Sequence, residues 1–249
     1  MSLENKVKET QTTTVTAPYS RRRVGNPLIT IIDLLSILIG AYGAYTNIYT
    51  VELPSHLAKA GHWQFLTNLS LVYSLVVFAI GFFAHITKSK TLYQIKNNIH
   101  PIGLALELIV AGIYWPLRVF FLHLLTKDPS KFQVPLLTDL SIHLMPVVSL
   151  LVDYLVFMPK WTISNNTALS FMVVLTVFYW FLLESLIDKE NGGSYPYQFM
   201  DVEKDFHRVL IFAIVAFVAY FQFLTMKRVY DWVVGATEEA SIEIDKKLD

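Results

Sequence analysis

Asp139 and His143 stand four residues apart in the run LLTDLSIHLMP, a spacing that puts a carboxylate and an imidazole on one helix face, a turn apart. Thr67 lies about three residues into another apolar run and His143 about six into its own. At 1.5 Å per residue their depths differ by only about 5 Å. A hydroxyl, an imidazole and a carboxylate at one height can carry acyl transfer. A threonine hydroxyl is a poor nucleophile until a base takes its proton, histidine titrates near neutrality, and a neighbouring carboxylate fixes the ring's tautomer. Each piece also has a structural use. A threonine in an apolar helix bonds back to its own backbone, Asp and His at this spacing satisfy one another, and Arg118 neutralises Asp139 or Glu184. Spacing alone does not select Thr67 among the polar positions.

The elements that must position these groups follow from composition. The 249 residues are 54% hydrophobic, 14% aromatic and only 16% charged, with a mean hydropathy of +0.46, far from a soluble domain. Formal net charge is zero, so no nucleic-acid partner is indicated. There is no cysteine, which removes disulfides, thiolate metal sites and thiol nucleophiles and leaves the redox compartment unreadable. The histidines are scattered without metal-ligand spacing. His56 and His62 share a loop but lack nearby partners, so neither a metal nor another cofactor is implied.

In chain order, residues 1–26 form a polar tail ending near Arg21-Arg22-Arg23, read as disordered and cytosolic. Six apolar runs follow, each long enough for about 30 Å of hydrocarbon. They are Pro27 to Tyr49, Phe65 to His85, Ile102 to Leu125, Leu137 to Pro159, Thr167 to Ile187 and Val209 to Tyr230. Lys88, Lys90 and Lys96 mark the loop after the second run, and residues 231–249 are read as a cytosolic C-terminal tail. The runs lack the alternation of barrel strands, so the expected fold is an all-α integral membrane bundle of about six helices spanning 27–230.

The N-terminal tail, second loop, fourth loop and C-terminal end carry 13 Lys and Arg, against 6 on the other three loops. The positive-inside rule then places both termini in the cytosol. Lys246-Lys247-Leu248-Asp249 matches a dilysine retrieval signal of the endoplasmic reticulum, which is read from the cytosol. Intramembrane polar residues, functional suspects by default, fall into two layers. Asp33, Glu107 and Asp153 lie toward the cytosol; Thr67, Arg118, His123, Asp139, His143 and Glu184 lie toward the lumen. The sequons at Asn68 and Asn165 fall in a span and a cytosolic loop and are expected to be unmodified.

The segment Glu52-Leu53-Pro54-Ser55-His56, followed by Trp63-Gln64-Phe65-Leu66-Thr67, resembles the androgen-induced and androgen-dependent (FAR-17a-like) family of multispan membrane threonine hydrolases. That family, which acts on fatty acid esters of hydroxy fatty acids, reads PSH, then a tryptophan, then FLT. The resemblance implies that Thr67 is the nucleophile and that a histidine in a later span is its partner. His143 is the best match for it. Tyr195-Pro196-Tyr197 also looks like the family's Tyr-Pro-aromatic motif, and the likeness runs from about residue 30 to 230. The chain departs from the pattern just before His143, where Asp139 stands at a family asparagine and Leu140 at a second histidine.

Two classes of function remain open at this level. One is an integral membrane lipid esterase with Thr67 and His143 as catalytic residues, Asp139 and Arg118 orienting or binding substrate, and membrane lipids around it. The other is a non-enzymatic carrier, channel or scaffold that uses both charged layers as a polar path.

Overall fold

The computed structural model describes residues 22–126 and 134–248, with side chains to 235. Among the described residues six helices are long and apolar enough to cross a membrane, and there is no strand. Helix α1 (Pro27–Thr50) starts where the Asn26 side chain accepts the Leu28 N–H, with Pro27 at the first position, where its missing N–H costs nothing. Helix α2 (Leu66–Thr87) ends at Lys88 in the left-handed region, φ 53. The two-residue turn Lys88 and Ser89 feeds α3 (Lys90–Phe120), capped by the Ser89 hydroxyl. Helix α4 spans Leu136–Phe157, α5 is Asn165–Leu186, and α6 is Asp205–Leu248, its membrane portion running to Gly235.

Expected boundaries move at both ends of the third span and at the end of the sixth. The second loop shrinks to a turn, and Lys90 and Lys96 belong to α3, which begins a dozen residues before Ile102 and stops at Phe120. His123 therefore sits on the short exposed helix Leu122–Leu125, outside the interior layer assigned to it. At the other end α6 continues as helix past Tyr230. Residues 1–21 of the N-terminal tail and residues 127–133, with Lys127, lie outside the described residues, as do the side chains of Lys246 and Lys247.

Helices α1, α2, α3 and α4 pack as a quartet, and the pair α5 and α6 leans on it through α3. Close approach depends on small residues. A Cβ on Gly43 of α1 would lie 2.7 Å from Ile142 Cγ2, so only glycine lets α1 reach α4 beside His143. The bundle is apolar outside, with Leu28, Leu35, Phe83, Phe181 and Phe217 exposed, while Asp33, Ser70, Ser74, Lys96 and Glu107 are buried. That inversion suits a lipid surround, where polar groups must find partners inside the protein. Arg22 stacks over the Tyr230 ring at 5.7 Å, and Lys160 Nζ donates to Asp231 at 2.7 Å. The start of α1, the α4–α5 turn and the membrane portion's end in α6 thus share one end of the bundle.

Helix α4 is broken. Pro146 has no N–H to return to Ile142 and clashes with the preceding turn, so Leu136–His143 and Met145–Val152 are separate helices meeting at Leu144. The break leaves the His143 carbonyl outside the regular ladder, and Trp115 Nε1 donates to it at 3.3 Å. A π-turn, Asp153–Phe157, closes the helix.

Candidate active site at the mouth of an apolar cavity

Thr67 is the second residue of α2, so the carbonyl four residues earlier belongs to the preceding loop and no helical back-bond is on offer. Thr30, Thr46, Thr50, Thr87, Thr176 and Thr225 all do donate to the carbonyl four residues before them. Thr67 instead turns its Oγ1 to His143 Nε2, 3.5 Å away across the α2–α4 contact. His143 Nδ1 lies 2.8 Å from Asp139 Oδ1. An ionised carboxylate only accepts, so Nδ1 carries the ring hydrogen and Nε2 presents a lone pair to the threonine hydroxyl. All three residues are buried.

Asp139 is held from two further sides. The Tyr114 hydroxyl donates to Oδ1, and Arg118 Nε lies 3.5 Å from Oδ2. Tyr114 also lies flat on the imidazole, ring centroids 3.4 Å apart and planes 5° from parallel. The structure therefore brings Thr67, His143, Asp139 and Arg118 together, with Arg118 on Asp139. Glu184 is elsewhere: it accepts from the Tyr195 hydroxyl and sits 3.9 Å from Arg208 Nη1. Tyr114 was not singled out in the sequence, although it precedes Arg118 by four residues and so shares its face of α3.

The loop before α2 forms a roof. Gln64 is fully buried, and its Nε2 donates to the Leu57 and Gly61 carbonyls, both at 2.8 Å, while Tyr179 donates to its backbone oxygen at 2.8 Å. Asn68 Nδ2 donates to the His62 carbonyl at 2.6 Å and its Oδ1 accepts from Asn47 at 2.8 Å, so this sequon asparagine is a structural clasp. Burial lowers the His62 imidazole below its ordinary range. The fifth loop joins the roof through Ser194 N–H to the His56 carbonyl, the Lys59–Asp188 ion pair, and Leu66 N–H to the Tyr197 hydroxyl oxygen at 3.2 Å.

Beneath the roof a cavity of about 300 Å³ opens beside Thr67, lined by α2, α3, α5 and α6 and by Tyr197, almost entirely with carbon. Its lining on α3 runs from Tyr114 down to Ile102, about 18 Å at 1.5 Å per residue. Thr176, Phe212 and Ala216 line it from inside and also line a second hollow on the outer face of α5 and α6. The wall between them is one side chain thick.

A separate charged group fills the opposite end of the bundle. Lys96 Nζ is 2.6 Å from Asp153 Oδ2 and 3.3 Å from Asp33 Oδ2, and His100 Nε2 is 3.6 Å from Asp153 Oδ2. Gly81 admits the group, since a Cβ there would come within 2.5 Å of Asp33 Oδ2. Glu107 lies midway and accepts from Ser74 at 2.8 Å. Between it and the Lys96 group stand Val77, Phe78 and Leu104, all fully buried. Glu107, grouped by sequence with Asp33 and Asp153, is thus set apart from them by carbon on α2 and α3, while Ser36 and Ser149 are hydrogen-bonded at 2.8 Å on α1 and α4. Among the described residues, no group of three or more His, Asp or Glu is placed to hold a metal ion.

Six apolar helices around a polar interior define a multi-pass membrane protein. The chain belongs to the FAR-17a/AIG1-like family, whose model matches residues 28–231. It is similar to a UPF0641 membrane protein of Saccharomyces cerevisiae, 33% identical over 204 residues that cover 75% of this chain and 84% of the relative. It is also similar to a UPF0641 membrane protein of Schizosaccharomyces pombe, 28% identical over 173 residues, 70% of this chain and 77% of that one. No solved structure matches the chain.

Proposed function

We propose that this chain is an integral membrane ester hydrolase whose nucleophile is Thr67 and whose general base is His143, acting on fatty acid esters of hydroxy fatty acids or closely related lipid esters. The observation that carries the reading is the Thr67–His143–Asp139 line beside a carbon-lined cavity of about 300 Å³, apolar enough for an acyl chain. His143 Nε2 takes the Thr67 proton as Oγ1 attacks the ester carbonyl, and gives it to the departing alkoxide, leaving an acyl-threonine. Water then loses a proton to Nε2 and attacks that ester, and the proton returns to Thr67 Oγ1 as the fatty acid leaves. The distance of 3.5 Å is long for proton transfer; a bound ester tightens such contacts, which are commonly loose before substrate arrives.

Val77, Phe78 and Leu104, between Glu107 and the Lys96 group, weigh against a continuous polar path along α2 and α3. On this reading Asp139 orients the base and Arg118 holds Asp139. The dilysine end and the Lys/Arg balance favour the endoplasmic reticulum membrane with both termini cytosolic. The test uses the full chain in microsomes with a defined hydroxy fatty acid ester and a fluorophosphonate label. Thr67→Ala at normal abundance is expected to lose both hydrolysis and labelling. Hydrolysis at the parental rate by that variant overturns the proposal.

A further inference from the structure

An ester carbonyl attacked by Thr67 turns its oxygen into an anion, and in a carbon-lined cavity that charge needs a donor placed in advance. The Thr67–His143–Asp139 line supplies none. Arg118 lies behind Asp139, on the far side of the imidazole from Thr67. The cavity lining on α2 beside Thr67 is Leu66 and Leu69, with Ser70 turned back to the Thr67 carbonyl at 3.1 Å. A hydroxyl from another element stands beside the nucleophile.

That hydroxyl belongs to Tyr197. Its oxygen accepts the Leu66 N–H at 3.2 Å, with Thr67 and the Tyr179 hydroxyl beside it. The residue at the N-cap of α2 is Phe65, which has no side chain to cap the helix, so the phenol oxygen stands where a capping oxygen belongs. Two features follow from that placement. With a helix N–H on its oxygen, the phenol's own hydrogen is left to give, and the Tyr179 oxygen, whose hydrogen goes to the Gln64 carbonyl at 2.8 Å, is one acceptor beside it. That N–H, at the positive end of α2, also draws electron density from the oxygen and makes its hydrogen a better donor. The ring is fixed by an edge contact with Phe65 at 6.1 Å and a stack on Phe199 at 5.4 Å. It lines the cavity. Burial raises the phenol above its ordinary range, so it stays protonated at neutral pH.

We propose that the Tyr197 hydroxyl is the oxyanion donor of this site, a catalytic group brought from the fifth loop to the first turn of α2. The assignment rests on Thr67 being the nucleophile. Before attack the phenol hydrogen has the Thr67 and Tyr179 oxygens as acceptors, and the Thr67 hydrogen faces His143. During attack Oγ1 bonds to the carbonyl carbon, the carbonyl π pair moves onto its oxygen, and the Thr67 proton goes to His143 Nε2. Nucleophile oxygen and oxyanion now share one carbon, so a donor touching the first reaches the second. Tyr197 keeps its proton throughout and only donates a hydrogen bond. When the pair returns to re-form the carbonyl, the alkoxide leaves with the proton from Nε2.

The experiment compares Tyr197→Phe with the parent chain in detergent-solubilised membranes, using a long-chain ester and two inhibitors. One is a long-chain trifluoromethyl ketone, which forms a reversible tetrahedral adduct on the nucleophile; the other is the product fatty acid. Tyr197→Phe is expected to lower kcat by about 10² to 10³ with KM nearly kept. It should weaken the ketone by the same factor and leave the fatty acid unchanged. A phenol that serves only to cap α2 would lower abundance or thermal stability, keep kcat per folded molecule, and leave the ketone-to-acid ratio as it was; that result overturns the assignment. Should the variant not accumulate, 3-fluorotyrosine at 197 keeps the fold, and kcat that ignores the altered phenol acidity overturns it equally. Parental kcat in Tyr197→Phe beside an inactive Thr67→Ala removes Tyr197 alone, whereas an active Thr67→Ala removes the hydrolase reading itself.

Discussion

Tyr114 lies face to face with His143, ring centroids 3.4 Å apart, while its hydroxyl donates to the same Asp139 oxygen that faces the imidazole Nδ1. One side chain thus sets both the plane of the ring and the position of the carboxylate that sets its tautomer. Tyr114→Phe keeps the stack and removes the hydrogen bond; kcat is expected to fall about tenfold, the scale of one bond to a charged group. Tyr114→Leu removes both and should fall about a hundredfold on the same scale. Steady-state rates per labelled molecule check this: equal rates for the two variants would show that the stack does not matter, and parental rates in both that neither contact does.

Asp139 is tested by replacing its carboxylate. In Asp139→Asn the amide oxygen turns to Arg118 and the NH2 to Nδ1, which moves the ring hydrogen to Nε2, and by analogy with serine hydrolases kcat is expected to fall by about 10⁴. Steady-state kcat per folded molecule is the measurement. Near-parental turnover in Asp139→Asn would mean that the carboxylate is not orienting the base.

Arg118 meets Asp139 Oδ2 through Nε at 3.5 Å and is 31% exposed. As a group that holds Asp139, it should affect turnover: Arg118→Gln is expected to lower kcat several-fold with KM nearly unchanged. A change confined to KM, and only for substrates with a free carboxylate, would make it the substrate's anchor instead.

The Lys96 group concerns stability alone. Lys96→Met leaves Asp33 and Asp153 buried with no cation between them, a change that costs about 3 to 5 kcal/mol for a broken buried pair. Abundance and thermal unfolding in detergent should drop sharply. Adding Asp33→Asn and Asp153→Asn should restore most of the loss, and turnover per folded molecule should stay parental because the site is at the other end. A triple variant as unstable as Lys96→Met would mean that lysine's packing, rather than its charge, is what the fold needs.

The six spans were legible because each apolar run carries its own length. What the sequence hid was pairing. Lys90, Lys96, Asn97, Asn98 and His100 read as loop because a local window sees only their polarity, whereas Asp33 and Asp153, which make Lys96 tolerable in the interior, are 63 and 57 residues away. His123 was drawn into the third span by its apolar neighbours, and nothing local marked the stop at Phe120. Within the site, Asp139 and His143 announced themselves through one-turn spacing. Thr67 needed the resemblance, since a threonine at a helix start has an ordinary capping use. Tyr114 was not singled out and Tyr197 entered only as part of a motif, because their partners come from other elements.

The thin wall of Thr176, Phe212 and Ala216 between the inner cavity and the outer face of α5 and α6 bears on how turnover must be counted. For an enzyme whose cavity is divided from the surrounding hydrocarbon by single side chains, the reservoir of substrate is the bilayer. The variable that saturates it is then mole fraction among lipids rather than molarity. Adding inert phospholipid at constant total ester should slow the reaction by surface dilution, and bulk KM values taken at different lipid loads should collapse onto one curve when plotted per lipid.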